Sequence, residues 1–231
     1  SKLSKRKGDP SFEDLIRMGY LPEAIVNYVA LLGWNPGDER EYFLLPDLVA
    51  AFDMNRINKS NAAFSFDKLR WLNGEHIRAL SLEEFHKRAL SFYPAGFERF
   101  DLKQLSALIQ VRTENLGDIP SLVGFFGQLP SYKVELFVHD KSKSTLESSK
   151  MVLQGVQPLF AALDEWTNES LFDCLKAFSK EQGLKVGTVM WPIRTALSGQ
   201  DTSPGGATEL AAILGKDESL RRITLGLEKL G

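Results

Sequence analysis

The chain has 231 residues, of which 43% are hydrophobic and 25% are charged, and its formal net charge is −2. This composition is typical of a globular protein with one large core or two smaller ones, and it excludes a fibre and a disordered chain. The longest apolar run, residues 28–34, is far shorter than the roughly 20 residues that cross a bilayer. No apolar segment follows the basic start, so we expect neither a membrane span nor a signal peptide.

A single cysteine, Cys174, cannot form an internal disulfide, and the sequence has no CxxC pair or histidine cluster with metal-ligand spacing. We therefore expect no metal site and a reducing, cytoplasmic location. The small negative net charge argues against a nucleic-acid partner, but phosphate binding depends on local basic clusters. The clusters are residues 2–7, Lys68 with Arg70 and Arg78, Lys87 with Arg88, and Arg221 with Arg222.

Capping residues and helical periodicity predict the elements of the first half. Ser11 and Asp14 have the spacing of a capping box, and Gly19 is a natural helix stop. Pro22 suits a first helical turn, and apolar residues recur at helical spacing as far as Gly33. Further helices are predicted over residues 45–52, over 68–73 with Asp67 as N-cap, over 82–93 after a Ser81–Glu84 capping box, and over 102–115 after Asp101.

The second half is also predicted to be mainly helical. Only residues 134–138 could form a strand, and one isolated strand has no partner to pair with. A polar loop at 140–149 runs into a helix over 145–166, and helices over 168–182, 187–198 and 209–230 come next, with a turn-rich linker at 199–207. The expected fold class is therefore all-α, or nearly so.

The segment Lys2-Leu3-Ser4-Lys5-Arg6 places two ammonium groups three residues apart near the start of the sequence. Such a pair can stabilise the negative charge that develops on the β- and γ-phosphates when ATP releases pyrophosphate. Basic pentads are common, so the pattern alone is also consistent with a basic arm or a localisation tag.

Together with the residues on its C-terminal side, this pentad resembles the KMSKS-type loop of class I aminoacyl-tRNA synthetases. The sequences GYLPEAIVNYVALLGW at 19–34 and FDKLRWLN at 66–73 resemble bacterial-type glutamyl-tRNA synthetases in particular. The resemblance extends over essentially the whole chain. It implies that Lys2, Leu3, Ser4, Lys5 and Arg6 close over ATP, with Mg²⁺, in a longer parent enzyme. It also implies a catalytic-domain remnant at 1–10, a stem-contact helical domain at 11–95, and helical-bundle anticodon-binding domains at 96–145 and 146–231.

The resemblance assigns residues 66–78 to a helix that contacts the inner corner of the tRNA. The contacts would come from Lys68, Arg70, Asn73 and Arg78, because basic and short polar side chains hold sugar hydroxyls and phosphates without reading sequence. The alternative is a helix whose apolar residues fill a core while its basic residues are merely solvated. The two interpretations are compatible if they use opposite faces of one helix.

Arg112 is the candidate for reading a base. In the family that the chain resembles, an arginine at about this place contacts the third anticodon base, and its planar fork suits hydrogen bonding to a base edge. Without the resemblance, an arginine on a partly apolar helix would more often pair with a neighbour such as Glu114 or Asp118.

A second anticodon site is implied by the sequence WPIRTALSG at 191–199, followed by TSPGGA at 202–207. These segments resemble the family's Pro-x-Arg-x-Ala-Leu-x-Gly helix and its Pro-Gly loop. Such a loop brings a cation, a hydroxyl and backbone amides close together, which suits splayed-out bases. The sequence departs from the family where Gly206-Ala207 replaces a large apolar residue, so the stacking contact is open. The implied anticodon residues are Arg194, Ser203, Gly206 and Ala207.

None of the three histidines, His76, His86 and His139, stands in a His-Ile-Gly-His-type signature, and the sequence has no glycine-rich phosphate loop or nucleophile elbow. We therefore expect the chain to bind tRNA as a monomer without catalysing. The parent would use glutamate and ATP and charge the glutamate tRNA, and whether it also charges the glutamine tRNA stays open.

Two alternatives belong to other classes. A free-standing helical adaptor for RNA or protein would have no use for a phosphate-binding pentad. A glutaminyl-tRNA synthetase is disfavoured because its anticodon region consists of β-barrels, which need strands that alternate with a period of two.

Overall fold

A computed structural model describes residues 10–58 and 63–231, and these residues form twelve α-helices and no strand. Two isolated antiparallel bridges join Trp34 to Ile57 and His139 to Ser144. The prediction of an all-α fold is confirmed. None of the helices in the described ranges is both long and apolar enough to cross a bilayer.

The described residues divide into two compact units, and the chain passes between them more than once. Unit 1 contains the residues up to Tyr93 together with Ile109–Pro120, and unit 2 contains Pro94–Leu108 and Ser121–Gly231. Residues of unit 2 therefore precede and follow Ile109–Pro120, which we call the inserted segment. The three regions implied by the resemblance divide the chain differently, and their boundaries stay a prediction.

Unit 1 is built on five α-helices and several short 3₁₀ turns. Its core joins α1, α2 and α4 through buried Leu15, Tyr20, Ile25, Leu69 and Leu72. The α-helices are α1 Phe12–Arg17, α2 Pro22–Gly33, α3 Leu45–Ala51, α4 Phe66–Ala79 and α5 Leu82–Ala89; the 3₁₀ turns are Met54–Arg56, Leu90–Phe92, Gln110–Arg112 and Leu116–Asp118.

Local signals account for the starts of these helices. The Ser11–Asp14 capping box is confirmed, as is Pro22 in the first turn of α2. The predicted Asp67 N-cap is wrong: Ser65 caps α4 by accepting a hydrogen bond from the Lys68 N–H, and Asp67 lies in the first turn. There its carboxylate interacts favourably with the positive end of the helix dipole.

Unit 2 contains most of α6 and α7 and all of the last five helices. The helices are α6 Leu102–Ile109, α7 Ile119–Gly127, α8 Leu146–Ala162, α9 Asn168–Glu181, α10 Val186–Ser198, α11 Ala207–Leu214 and α12 Lys216–Leu230, with 3₁₀ turns at Phe97–Arg99 and Val134–Phe137. Thr145 and Thr167 cap α8 and α9 through their side chains, which accept from the N–H groups of Ser148 and Ser170.

Several of the expected elements differ from the structure in type or in bounds. Residues 134–138 form a 3₁₀ turn and not a strand. The predicted helix over 102–115 ends at Ile109, where the inserted segment begins. The helix expected over 209–230 is two helices, because Gly215 adopts φ +81°, a left-handed conformation that breaks the chain of i to i−4 hydrogen bonds.

The core of unit 2 lies where α8, α10 and α12 meet. Leu153, Ile193 and Ile223 from the three helices are fully buried. Gly226 on α12 lets the helices approach closely, since a Cβ there would lie 3.0 Å from the Cβ of Ala196 and 3.2 Å from Leu153 Cδ1. This packing fixes α10, the helix that carries one of the two candidate sites.

Candidate functional site

Lys68 and Arg78 lie on α4 with their cationic groups at the surface, each in an ion pair. Lys68 pairs with Glu41, and its Nζ also lies 4.4 Å from the centre of the Trp71 ring. Arg78 donates to Glu75 at 2.6 Å. Exposed ion pairs of this kind contribute only about 0–1 kcal/mol. Both cations can therefore exchange a carboxylate for a phosphate at little cost.

Arg70 is held much more firmly by the inserted segment. Its guanidinium donates to Glu114 at 2.9 Å and forms a two-pronged contact with Asp118 at 3.2 and 2.6 Å. The hydrogen bond with Asp118 raises the pKa of Arg70 above its ordinary value, so the group stays charged. Two hydrogen bonds in the planar fork are stronger than one point contact. Arg70 thus fastens the inserted segment to α4.

Asn73 is fully buried and both ends of its amide are used within unit 1. Its Oδ1 accepts from the Leu21 N–H at 2.8 Å, and its Nδ2 donates to the Glu114 carbonyl at 2.7 Å. A side chain with no exposed surface cannot contact RNA without opening the fold. We therefore remove Asn73 from the candidate tRNA contacts and assign it to the internal fastening of the inserted segment.

Arg112 stands on the inserted segment at the surface. The residues beside it in the chain are held by hydrogen bonds. Gln110 Nε2 donates to the carbonyls of Ile77 and Leu80 at 3.1 and 2.8 Å, and the hydroxyl of buried Thr113 donates to the Ile109 carbonyl at 2.9 Å. The Arg112 guanidinium is exposed. Glu114 and Asp118, the expected alternative partners, are bound to Arg70. Arg112 has no ion pair or hydrogen bond with any described residue, so its donors are available to a ligand.

The second candidate site lies in unit 2 around Arg194 on α10. Arg194 donates from NH1 to Ser203 Oγ at 3.1 Å and from NH2 to the Asp201 carbonyl at 2.9 Å. Its guanidinium carbon lies 4.3 Å from the centre of the Trp191 ring. Burial lowers the pKa of Arg194, because the charged form loses hydration. An arginine in a protein keeps its proton at neutral pH, so Arg194 remains a cation.

The loop between α10 and α11 holds the Arg194 partners in place. Ser203 Oγ donates to the Gly205 carbonyl at 2.8 Å, and the Gly206 N–H donates to Glu209 at 2.8 Å. Gly205 is buried, and a Cβ there would come within 2.6 Å of Leu108 Cδ1. Gly206 is exposed, whereas Ala207 is buried. The Ala207 side chain therefore offers no surface for stacking, which leaves Arg194, Ser203 and Gly206 as the group that a ligand can reach.

His139 and Trp191 complete this site, and the sequence argument did not select either of them. The His139 imidazole stacks on the Trp191 indole with ring centres 3.6 Å apart and planes 3° from parallel. The indole Nε1 donates to the Leu136 carbonyl at 2.9 Å, which fixes the ring. The spacing of Trp191 and Arg194 by three residues was a visible signal, since it places them on one helix face. The His139 contact crosses 52 residues of sequence and gives no local signal.

Two of the basic clusters marked in the sequence each contain an arginine that is already bound within the fold. Arg222 is buried, and its guanidinium donates to the carbonyls of Phe125, Leu197 and Phe126 and to Glu218. Arg88 is paired with both Glu23 and Glu84. The charges of Arg222 and Arg88 are used within the fold, so neither arginine is a candidate contact.

A cavity of about 330 Å³ lies in unit 1 beside Lys68. Two of its charged pairs, Lys68 with Glu41 and Arg40 with Asp38, neutralise each other. Among the described residues, no group of three or more His, Cys, Asp or Glu is placed to hold a metal ion. The five residues of the expected ATP-binding loop, Lys2, Leu3, Ser4, Lys5 and Arg6, lie outside the described ranges.

Comparison with known families matches the two ends of the chain to two models. Residues 84–227 match the model described as "Anticodon binding domain", and residues 1–71 match "tRNA synthetases class I (E and Q), catalytic domain". The boundary between the two matches does not coincide with the boundaries of unit 1 and unit 2.

Curated relatives carry the name glutamate–tRNA ligase. Those of Clostridium tetani and Clostridium acetobutylicum are 51% and 50% identical over the whole chain. The chain spans 47% and 48% of their lengths, about half of each. Among solved structures, a glutamate tRNA ligase from Elizabethkingia meningosepticum in complex with its amino acid is 27% identical with a TM-score of 0.77; the match covers 100% of this chain and 49% of that one.

Proposed function

Because the chain belongs to the glutamate–tRNA ligase family, we propose that its two units bind the glutamate tRNA and inspect the anticodon. The observation that carries the proposal is the state of Arg112. An exposed guanidinium on a fastened backbone keeps its hydrogen-bond donors for a ligand, and the planar fork matches the acceptor edge of a base. The partner proposed for Arg112 is the third anticodon base.

Arg194, Ser203 and Gly206 are proposed as a second group of anticodon contacts, within unit 2. An indole-backed guanidinium and a hydroxyl beside the exposed Gly206 can together hold an unstacked base by its face and its edge. Lys68, Arg70 and Arg78 are proposed as backbone contacts. Of these, Arg70 must share its guanidinium with the inserted segment, so Lys68 and Arg78 are expected to contribute more.

The parent is proposed to attach glutamate to the terminal ribose of its tRNA, with ATP and Mg²⁺. In that parent, Lys2 and Lys5 would neutralise the β- and γ-phosphates. The His-Ile-Gly-His-type signature of the class is absent from this sequence. We therefore expect the chain alone to bind tRNA and not to catalyse. A monomer and a cytoplasmic location belong to the same proposal, and the glutamine tRNA is a second candidate substrate.

The proposal is tested by titrating a glutamate tRNA transcript with the 231-residue chain and assaying glutamate-dependent pyrophosphate exchange. We expect weak binding that falls steeply between about 50 and about 200 mM salt, because each neutralised phosphate releases a counterion. No exchange above background is expected.

Arg17→Gln supplies the control, since Arg17 on α1 is an exposed cation outside the proposed contacts. It should leave the affinity unchanged, whereas Arg112→Gln and Arg194→Gln should lower it. An affinity that does not change with salt concentration would favour the helical adaptor instead. Exchange by the chain alone would contradict the proposal that it binds without catalysing.

A further inference from the structure

A tight turn over residues 139–144, which we call the lysine turn, projects from unit 2. His139 and Ser144 exchange two backbone hydrogen bonds of 2.9 and 3.0 Å, and the Lys143 N–H donates to the Asp140 carbonyl at 3.0 Å. Lys143 adopts φ +52°, the one positive value among the described residues other than glycine. A lysine in the left-handed region is uncommon and costs free energy.

The lysine turn is fastened to the rest of unit 2 at three points. Ser144 Oγ donates to the Phe137 carbonyl at 2.9 Å, and Thr188 Oγ1 on α10 donates to the Ser142 carbonyl at 2.6 Å. The third point is the stack of His139 on Trp191. Because these contacts already order the backbone, a ligand that binds the turn would lose little conformational entropy.

The exposed groups of this turn are cationic. Lys141 and Lys143 are exposed, and Lys185, the residue before α10, is exposed as well. None of the three has an ion pair among the residues that the structure describes. The acidic residues nearest in sequence are Asp140, Glu147 and Glu181, and none of them forms an ion pair with these lysines among the described residues. Three unpaired ammonium groups on an ordered element fit an anionic partner.

One face of α10 connects the lysine turn to the proposed anticodon site. Thr188, Trp191 and Arg194 follow one another at intervals of three residues, which places them in a row along the helix. Thr188 binds the turn, Trp191 stacks on its first residue, and Arg194 holds Ser203. The lysine turn and the Arg194 group are thus both held by α10, through residues one helical turn apart.

We propose that Lys141, Lys143 and Lys185 contact the phosphate backbone of the same RNA whose bases reach Arg194. This inference rests on the proposed function and adds a contact that carries no sequence information. The flat guanidinium of Arg194 suits a base, while lysines act as point charges and suit phosphates. The combination favours RNA over an acidic protein, because an acidic protein has no bases to stack on the guanidinium.

His139 is a positioning residue in this proposal. It touches no RNA itself, but its ring holds the turn against Trp191, and its Nδ1 lies 2.8 Å from Ser142 Oγ. Loss of the ring would make the lysine turn more mobile, so its lysines would no longer be held in one orientation.

The first experiment measures binding of the chain to the glutamate tRNA transcript as a function of salt. The variant Lys141→Gln/Lys143→Asn removes two charges, and asparagine tolerates the left-handed conformation at 143. We expect affinity to fall on the order of tenfold near physiological salt. The slope of log K against log salt should shrink by about 2, one unit for each lost phosphate contact. Glutamate and glutamine tRNAs should be affected alike.

The matched control is Lys176→Gln/Lys180→Gln on α9, which removes the same charge from two exposed lysines without ion pairs among the described residues. It should leave the slope nearly unchanged. Equal effects of the two double variants would mean that bulk charge alone matters, and would overturn the proposal. An unchanged slope in the turn variant would overturn it as well. If the unaltered chain fails to bind tRNA, the proposed function fails first.

The second experiment separates the stack from the charges. His139→Phe keeps a flat ring against Trp191, whereas His139→Ala removes it. We expect His139→Ala to reduce the salt slope and His139→Phe to restore it. In the unaltered chain, the ring current of Trp191 should shift the His139 ring protons upfield in the NMR spectrum. The same loss of slope in both variants, or an unshifted His139 signal, would contradict the positioning role.

Discussion

The guanidinium groups of Arg70 and Arg112 have opposite surroundings in unit 1. Arg70 holds Glu114 and Asp118, and Arg112 is left without a partner among the described residues. Removing Arg70 would therefore release the segment that carries Arg112, so Arg70 variants cannot separate backbone contact from base reading. Arg78, whose partner Glu75 lies on the same helix, is the cleaner control.

We predict that Arg112→Gln in the full-length parent reduces the preference between glutamate and glutamine tRNAs. The two tRNAs present cytosine and guanine at the third anticodon position, so one fixed donor fork contacts them differently. The preference should shrink by about 1–3 kcal/mol, the typical contribution of a bidentate base contact. The measurement is kcat/KM for both transcripts.

Arg78→Ala should weaken both tRNAs about equally, since a backbone contact carries no sequence information. Equal losses on the two tRNAs from Arg112→Gln would instead make Arg112 a backbone-contacting residue.

His76 is a buried imidazole in unit 1 whose Nε2 lies 3.1 Å from Asn27 Oδ1. Burial lowers the pKa of His76, because the imidazolium form loses hydration. Near and below the ordinary pKa of about 6.5, the unfolded chain then binds more protons than the folded chain. We predict that the free energy of unfolding falls as the pH drops from neutral through this range.

The test compares urea unfolding of the unaltered chain and His76→Gln at neutral and mildly acidic pH. Glutamine can still donate to Asn27 but does not titrate, so the variant should lose less stability on acidification. Identical pH dependence in the two proteins would exclude His76 as its source.

At the scale of helices, Arg222 on α12 joins the ends of two others. Its guanidinium donates to Phe125 and Phe126 in the last turn of α7 and to Leu197 in the last turn of α10. Carbonyls in a last turn have no partner within their helix and carry the negative end of its dipole. A buried arginine between two such ends satisfies both at once. Hydrogen bonds from Arg221 and Arg222 also lower the pKa of Glu218 to about 2.

We predict that Arg222→Met destabilises the chain by about 3–5 kcal/mol, because buried carbonyls and Glu218 lose their partner. Arg221→Met is the matched control: Arg221 pairs with the same Glu218, but 56% of its side chain is exposed. Its removal should cost under about 1 kcal/mol. Urea denaturation measures both, and equal costs would contradict the capping role.

The helix ends that depend on neighbouring residues could be predicted from the sequence. Ser11, Thr145 and Thr167 cap helices through side chains three residues from their partners. The 3₁₀ turn at residues 134–138 could not be predicted. The sequence there suggested only a strand, and the described residues contain no second strand to pair with it.

The candidate site was predicted only in part. Arg112 and Arg194 were selected from the family resemblance, and both lie where a ligand can reach them. Asn73 and Arg222 were marked as polar and basic candidates, but the carbonyls that hold them include those of Glu114 and Phe125, 41 and 97 residues away in sequence. Burial created by distant segments has no local signal, so the sequence could not show that these polar groups lie inside.

Over the whole molecule, acidic residues outnumber basic ones by 30 to 28. Many arginines among the described residues are paired internally, as Arg70, Arg88 and Arg222 illustrate. Binding to a polyanion must therefore rest on local contacts by cations that are unpaired or only weakly paired, which makes long-range attraction weak and contact geometry decisive. This agrees with the weak, salt-sensitive binding proposed for the chain.

The division into two units also predicts where the chain cannot be cut. A truncation after residue 95 lacks the inserted segment, so Asn73 loses the Glu114 carbonyl and Arg70 loses both carboxylates. We predict that this truncation unfolds with lower stability and cooperativity than a truncation after residue 120. Circular dichroism during urea unfolding compares the two, and equal stability would contradict the assignment of Ile109–Pro120 to unit 1.

The inserted segment has a further consequence for how the protein is made. Unit 1 lacks the backbone that satisfies Asn73 until residue 120 has left the ribosome, although Tyr93 has emerged long before. At about 5–20 residues per second, the wait is roughly one to five seconds. During that interval Leu69 and Leu72 can pack with α1 and α2, but Asn73 and Arg70 beside them have no lasting partners. The nascent protein therefore passes through a stage in which the core of unit 1 is closed on one side only, and at that stage a chaperone could bind it.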